Sequence, residues 1–138
     1  MPELDYALLC DYVRTEQTGV AHVIAAGIDT VTLPQVPGAA NLGLLVRLTF
    51  TRGECDKPHR LEAILAETDG EPVAKINGVI APTWQPGLPP GWKTGALLGL
   101  NFGVIVPKYG EYSMDILVND SSVKDINLRV VPPPSEGE

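Results

Sequence analysis

The sequence predicts an all-β protein: an antiparallel β-sandwich of about seven to nine strands with an immunoglobulin-like layout. Three observations carry this. Near the C-terminus Tyr112, Met114, Ile116 and Val118 alternate with Ser113, Asp115 and Asn119, and after Asp120-Ser121-Ser122 a second set, Ile126, Leu128 and Val130, alternates with Asp125, Asn127 and Arg129. A side-chain period of two puts each apolar set on one face, so this is a half-buried hairpin. Fourteen glycines and thirteen prolines fall mostly between apolar runs, breaking the chain about every 10 to 15 residues, the rhythm of a sandwich or barrel. Asp69-Gly70 separates two further apolar runs, a strong hairpin signal.

The elements follow in order. Leu4 to Val13 reads as one strand, with Tyr6, Leu8, Cys10 and Tyr12 on one face and Ala7, Leu9 and Val13 on the other. Apolar residues on both faces suggest a central strand. After a turn at Gln17-Thr18-Gly19, Val20 to Leu33 reads as a strand bent at Ala25-Ala26-Gly27, where glycine marks a bulge. Pro34 to Asn41 is loop. Leu44, Val46, Leu48 and Phe50 alternate with Leu45, Arg47, Thr49 and Thr51 in a one-sided strand. Leu61, Ile64 and Leu65 would also suit a helix, but the Asp-Gly turn favours a strand returning as Val73 to Ile80. Ala96 to Val106 leads into the terminal hairpin. Residues 1–131 form a single domain, and the Pro/Glu-rich tail 132–138 is expected to be disordered. The expected core holds Leu8, Cys10, Val46, Leu48, Phe50, Leu61, Leu65, Leu100, Tyr112, Met114, Ile116, Leu128 and Val130.

Composition excludes several functions. With 138 residues, 44% of them hydrophobic and 20% charged, the chain can bury a core without staples. A net charge of −7 and no basic stripe disfavour nucleic acid. No apolar run is long enough to span a membrane, and the start Met1-Pro2-Glu3-Leu4-Asp5 lacks the features of a secretion signal. A cytoplasmic location is expected.

Leu8-Leu9-Cys10-Asp11-Tyr12, Ala26-Gly27-Ile28-Asp29, Pro58-His59-Arg60-Leu61 before Asp69-Gly70, Pro86-Gly87-Leu88-Pro89-Pro90-Gly91 and Tyr109-Gly110-Glu111-Tyr112 make the chain resemble a bacterial family of small uncharacterised proteins. The resemblance runs from Leu4 to Val131. It implies the immunoglobulin-like sandwich and implies no activity, so no catalytic residue follows from it.

Four features are candidates for chemistry. Cys10, His22, Cys55 and His59 match a tetrahedral zinc set in number and type but lack knuckle or finger spacing, so no metal site and no cofactor are expected. A Cys10–Cys55 disulfide conflicts with the expected reducing compartment. Asp11, Asp29, Glu54, Asp56, Glu67, Asp69, Asp115, Asp120 and Asp125 lie on or near turns without calcium-loop spacing, and read as a solvated surface. The segment 82–93 holds both tryptophans among four prolines and two glycines. Long loops of this kind are often functional, and rigid aromatic anchors dominate interfaces. Trp84, Pro86, Leu88 and Trp92 are therefore the candidate partner-binding residues, against the alternative that both tryptophans plug the end of the sandwich.

No nucleophile elbow, catalytic serine–histidine pairing or phosphate loop is present. The expected function is a non-enzymatic protein-binding or scaffold module; a small-molecule or metal-ion sensor and a structural subunit of a larger assembly are the rival readings. The face bearing Ala7, Leu9 and Val13 and the run Leu97-Leu98-Gly99-Leu100 offer surplus apolar surface, from which a homodimer is expected.

Overall fold

Alternating apolar side chains turn into two layers that share one interior. The structure, a computed structural model, describes residues 1–17 and 19–134. Among them ten strands follow one another: β1 Glu3–Cys10, β2 Tyr12–Thr15, β3 Ala21–Ile24, β4 Thr30–Thr32, β5 Gly38–Phe50, β6 His59–Glu67, β7 Pro72–Ile80, β8 Thr94–Val106, β9 Gly110–Val118 and β10 Ser121–Val131. One short 3₁₀ turn, Arg52–Glu54, lies between β5 and β6. Among the described residues no helix is long and apolar enough to cross a membrane.

A three-stranded sheet, β1-β5-β8, packs on a five-stranded one, β4-β10-β9-β6-β7. The eight strands in these layers form the expected sandwich. All their pairings are antiparallel except the short β4, which runs parallel to β10. Between the sheets lie Leu44, Val46, Leu48 and Phe50 from β5, Leu61, Ala63 and Leu65 from β6, and Tyr112, Met114, Ile116 and Val118 from β9, all buried. Each of the Val, Leu, Ile, Met and Phe side chains contributes about 1.5–3 kcal/mol by leaving water. Tyr112, near the start of β9, donates its hydroxyl to the Lys108 carbonyl at 2.6 Å. That is the tyrosine corner of immunoglobulin-like sandwiches.

The remaining pair, β2 and β3, forms a separate hairpin. It lies over the outer face of the three-stranded sheet, where Cys10, Val13 and Leu45 make a second buried cluster with Leu8, Ala21, Val23 and Leu97. Two glycines give it room. A Cβ at Gly43 would stand 2.7 Å from the Cys10 sulfur, and one at Gly99 would stand 3.1 Å from a Val13 methyl. Asn101 of β8 then clamps the hairpin. Val13 N–H donates to Asn101 Oδ1 at 3.0 Å, and Asn101 Nδ2 donates to the Val13 carbonyl at 2.7 Å. The side-chain amide replaces one rung of a β-ladder.

Several expectations are corrected by this arrangement. Leu4 to Val13 is two strands broken at Asp11, and β1 is an edge strand, pairing only with β5. Val20 to Leu33 is also two strands in different sheets. Ala25 and Gly27, with φ of 56° and 83°, turn the chain between them, a left-handed conformation that no regular strand adopts. β5 begins at Gly38, inside the expected loop. The terminal turn is Asn119-Asp120, both with positive φ, so Ser121 already pairs with Val118. Two-residue hairpin loops favour such residues because this backbone twist matches that of the strands. Leu8 and Leu100 are half-buried. The supposed surplus face is occupied: Ala7 and Leu9 belong to the main core, and Val13 packs from the hairpin onto the outer face of the three-stranded sheet. Of the tail, residues 132–134 are exposed and without regular structure, while 135–138 lie outside the described residues, as does Thr18 of the first expected turn.

Candidate functional site

One end of the sandwich gathers the β5–β6, β7–β8 and β9–β10 connections, because Phe50 is opposite Thr94, His59 opposite Ile80 and Leu61 opposite Val118. The chain braces this end with hydrogen bonds. Asp56 N–H donates to the Pro82 carbonyl at 2.7 Å. His59, buried against the Phe50 ring with centroids 5.1 Å apart, has Nε2 2.6 Å from the Glu54 carbonyl and Nδ1 3.0 Å from Asn119 Nδ2. A carbonyl only accepts, so the histidine carries its proton on Nε2 and Nδ1 accepts from the amide. Asn119 Oδ1 in turn accepts the Arg60 N–H at 2.9 Å. This fixes the amide's orientation and locks the β9–β10 turn to the start of β6.

Glu54 sits in the same region, nearly enclosed. One oxygen accepts the Thr51 N–H at 2.8 Å, and the other pairs with the Met1 ammonium at 2.7 Å. Burial pushes its carboxyl upward, but the ammonium and the Thr51 donors outweigh it and hold the group at about 2.

On this braced end the 81–93 loop is a fixed shape. Pro82 and Thr94 are buried at its two feet. Gln85 N–H reaches Thr94 Oγ1 at 3.4 Å, Trp92 N–H donates to the Pro89 carbonyl at 3.1 Å, and Lys93 pairs with Glu3 at 2.8 Å. Gly87 and Gly91 take φ of +86° and +84°, which glycine adopts without a steric cost. The two tryptophans part company. Trp84 is half-buried against the main core, whereas Trp92 is 63% exposed. Of the other two candidates, Leu88 is half-buried and Pro86 exposed. The buried and the exposed tryptophan thus stand at opposite ends of one loop.

The structure separates the other sequence candidates. Cys10 lies under the hairpin, Cys55 borders the main core, His59 is in the lock described above, and His22 is exposed with its Nε2 2.9 Å from Glu16. Both cysteines are free and buried. Burial, with Asp11 beside Cys10 and with Asp56 and Glu54 beside Cys55, pushes both thiols up. That works against thiolate chemistry. Among the described residues no three His, Cys, Asp or Glu side chains converge to hold a metal.

Sequence reasoning missed the Asn101 clamp and the His59–Asn119 lock. Asn101 was visible as a lone amide in the apolar run Leu97 to Val106. The His59 lock had no local signal, since its partner is sixty residues away.

Residues 5–131 match a family described as a family of unknown function, DUF6941. No curated protein matches the chain. Among solved structures, an immunoglobulin-like protein from Pseudomonas aeruginosa is similar over 95% of this chain and 97% of its own, at 17% identity and a TM-score of 0.46.

Proposed function

This chain belongs to that family of unknown function, and we propose that it acts as a non-enzymatic protein-binding module whose contact surface is the Trp92 end of the 81–93 loop. The observation that carries this reading is the exposed Trp92 on a backbone held at both feet. A large aromatic side chain left in water forgoes its own burial energy, and a rigid loop loses little entropy when a partner covers it. Trp84 supports the reading by anchoring the loop in the core, so that Trp92 is presented rather than collapsed. By fold-level analogy, this is the end of an immunoglobulin-like domain that carries recognition loops. The partner would offer an apolar slot for the indole and a basic or neutral rim facing a chain of net charge −7.

The test is affinity capture from an extract of the native cells with the full chain and with Trp92→Ala. The proposal expects a protein retained by the natural chain and lost by the variant, with binding to the purified partner about thirtyfold weaker and an unchanged melting temperature. Equal retention by both chains would contradict it.

A further inference from the structure

Among the described residues, five of the eight large exposed hydrophobic side chains, Tyr6, Tyr12, Val20, Ile24 and Ile105, lie on the hairpin or on the two edge strands of the sheet beneath it. They fall into a protrusion and a hollow. Tyr12 and Ile24 are directly opposite each other at the base of the hairpin and point away from the sheet, since their neighbours Val13 and Val23 pack inward. Beside the hairpin's tip is an open groove of about 460 Å³ lined chiefly by Tyr6, Leu8, Val20, Val23, Leu45 and Leu97. Both strands of the hairpin are four residues long, which puts protrusion and groove about 10 Å apart on one surface.

We infer that this surface is the contact between two copies of the chain, the Tyr12–Ile24 protrusion of each copy entering the other's groove about a two-fold axis over the hairpin. A two-fold contact needs one patch that complements itself, and a protrusion with a hollow beside it meets that need. Charge selects the occupant. The chain carries −7, so most approaches of one copy to another are repulsive. Here the charges are already paired: Arg47 with Asp5 at 2.6 Å and Arg14 with Glu16 at 3.2 Å, the His22 ring lying 2.9 Å from the same Glu16 carboxylate. Asp11 is the one further acid on the hairpin's root. A basic partner would gain more on the rest of the surface, which holds nearly all the excess negative charge, whereas a second copy meets its least repulsive face here. The inference is independent of the Trp92 reading, because that loop is at the end of the sandwich and this surface is on its side.

Sedimentation velocity of the full chain from micromolar to millimolar concentration tests it. The natural chain should form a dimer. Tyr12→Asp, which removes the protrusion, and Val20→Asp, which spoils the groove, should each weaken the dimer at least tenfold while keeping the native melting temperature of the monomer. Mixing the two variants should restore part of the association, because one copy keeps an intact groove and the other an intact protrusion. Trp92→Ala should dimerise like the natural chain. A natural chain that stays monomeric throughout would overturn the inference, and so would a dimer unaffected by both aspartates or one abolished by Trp92→Ala.

Discussion

The two faces of the three-stranded sheet are built by different rules. The inner face meets a second sheet through large apolar side chains, Leu44, Val46, Leu48 and Phe50, each at most 1% exposed. The outer face meets a hairpin of two four-residue strands through a small cluster, two glycines and one side-chain amide. The first arrangement is held by area and the second by fit. Area is robust to detail, and fit is not.

The difference can be broken from either side. The largest effect belongs to the inner face: Phe50→Ala or Met114→Ala removes a side chain with no exposure and should cost about 3–5 or about 2–5 kcal/mol respectively, read as a lower denaturant midpoint for the whole domain. On the outer face, Gly43→Val forces atoms into the Cys10 sulfur and should cost about 1–3 kcal/mol. Its signature is local. Cys10 should become reactive toward a thiol reagent under native conditions while Cys55 stays protected, and equal labelling of both cysteines would show that the hairpin and the core come apart together.

These two faces were also unequally legible. Strands β6, β9 and β10 could be read because one side of each faces a core and the other faces water, so the period of two survives in the sequence; β5 keeps it only towards its end, where Arg47 and Thr49 alternate with Val46, Leu48 and Phe50. The Asp69-Gly70 turn was readable for its backbone preference. The hairpin was not. Val13 and Val23 look inward toward a sheet that already has its own core, so both faces of β1 carry apolar residues, and an edge strand looked central. What breaks the run at Ala25 is a positive φ on a residue that does not announce it. The candidate site was half legible: clustering and prolines located the 81–93 loop, but which tryptophan is buried depends on core contacts distant in sequence.

A smaller effect tests the braced end against the rest by pH. Glu54 is held at about 2, below its ordinary 4.5, so its stabilisation is present above pH 4.5 and fades as the pH falls from there toward 2. Glu54→Gln should lower the melting temperature at neutral pH by a few degrees, and the gap between variant and natural chain should shrink through that acid window. A gap that stays constant from neutral pH down to 2 would mean the carboxylate's charge contributes nothing.

Residue-resolved native-state hydrogen exchange addresses the division between the two faces most directly. Amides of β2 and β3 should exchange through an opening well below the global unfolding energy, and Asn101→Ala, which strips the Val13 backbone of both partners, should lower that opening by about 1–3 kcal/mol while β5, β6 and β9 keep their native protection relative to global unfolding. Hairpin and core amides exchanging with a single common free energy, in the natural chain and in Asn101→Ala alike, would contradict the claim that the hairpin is a separately held layer.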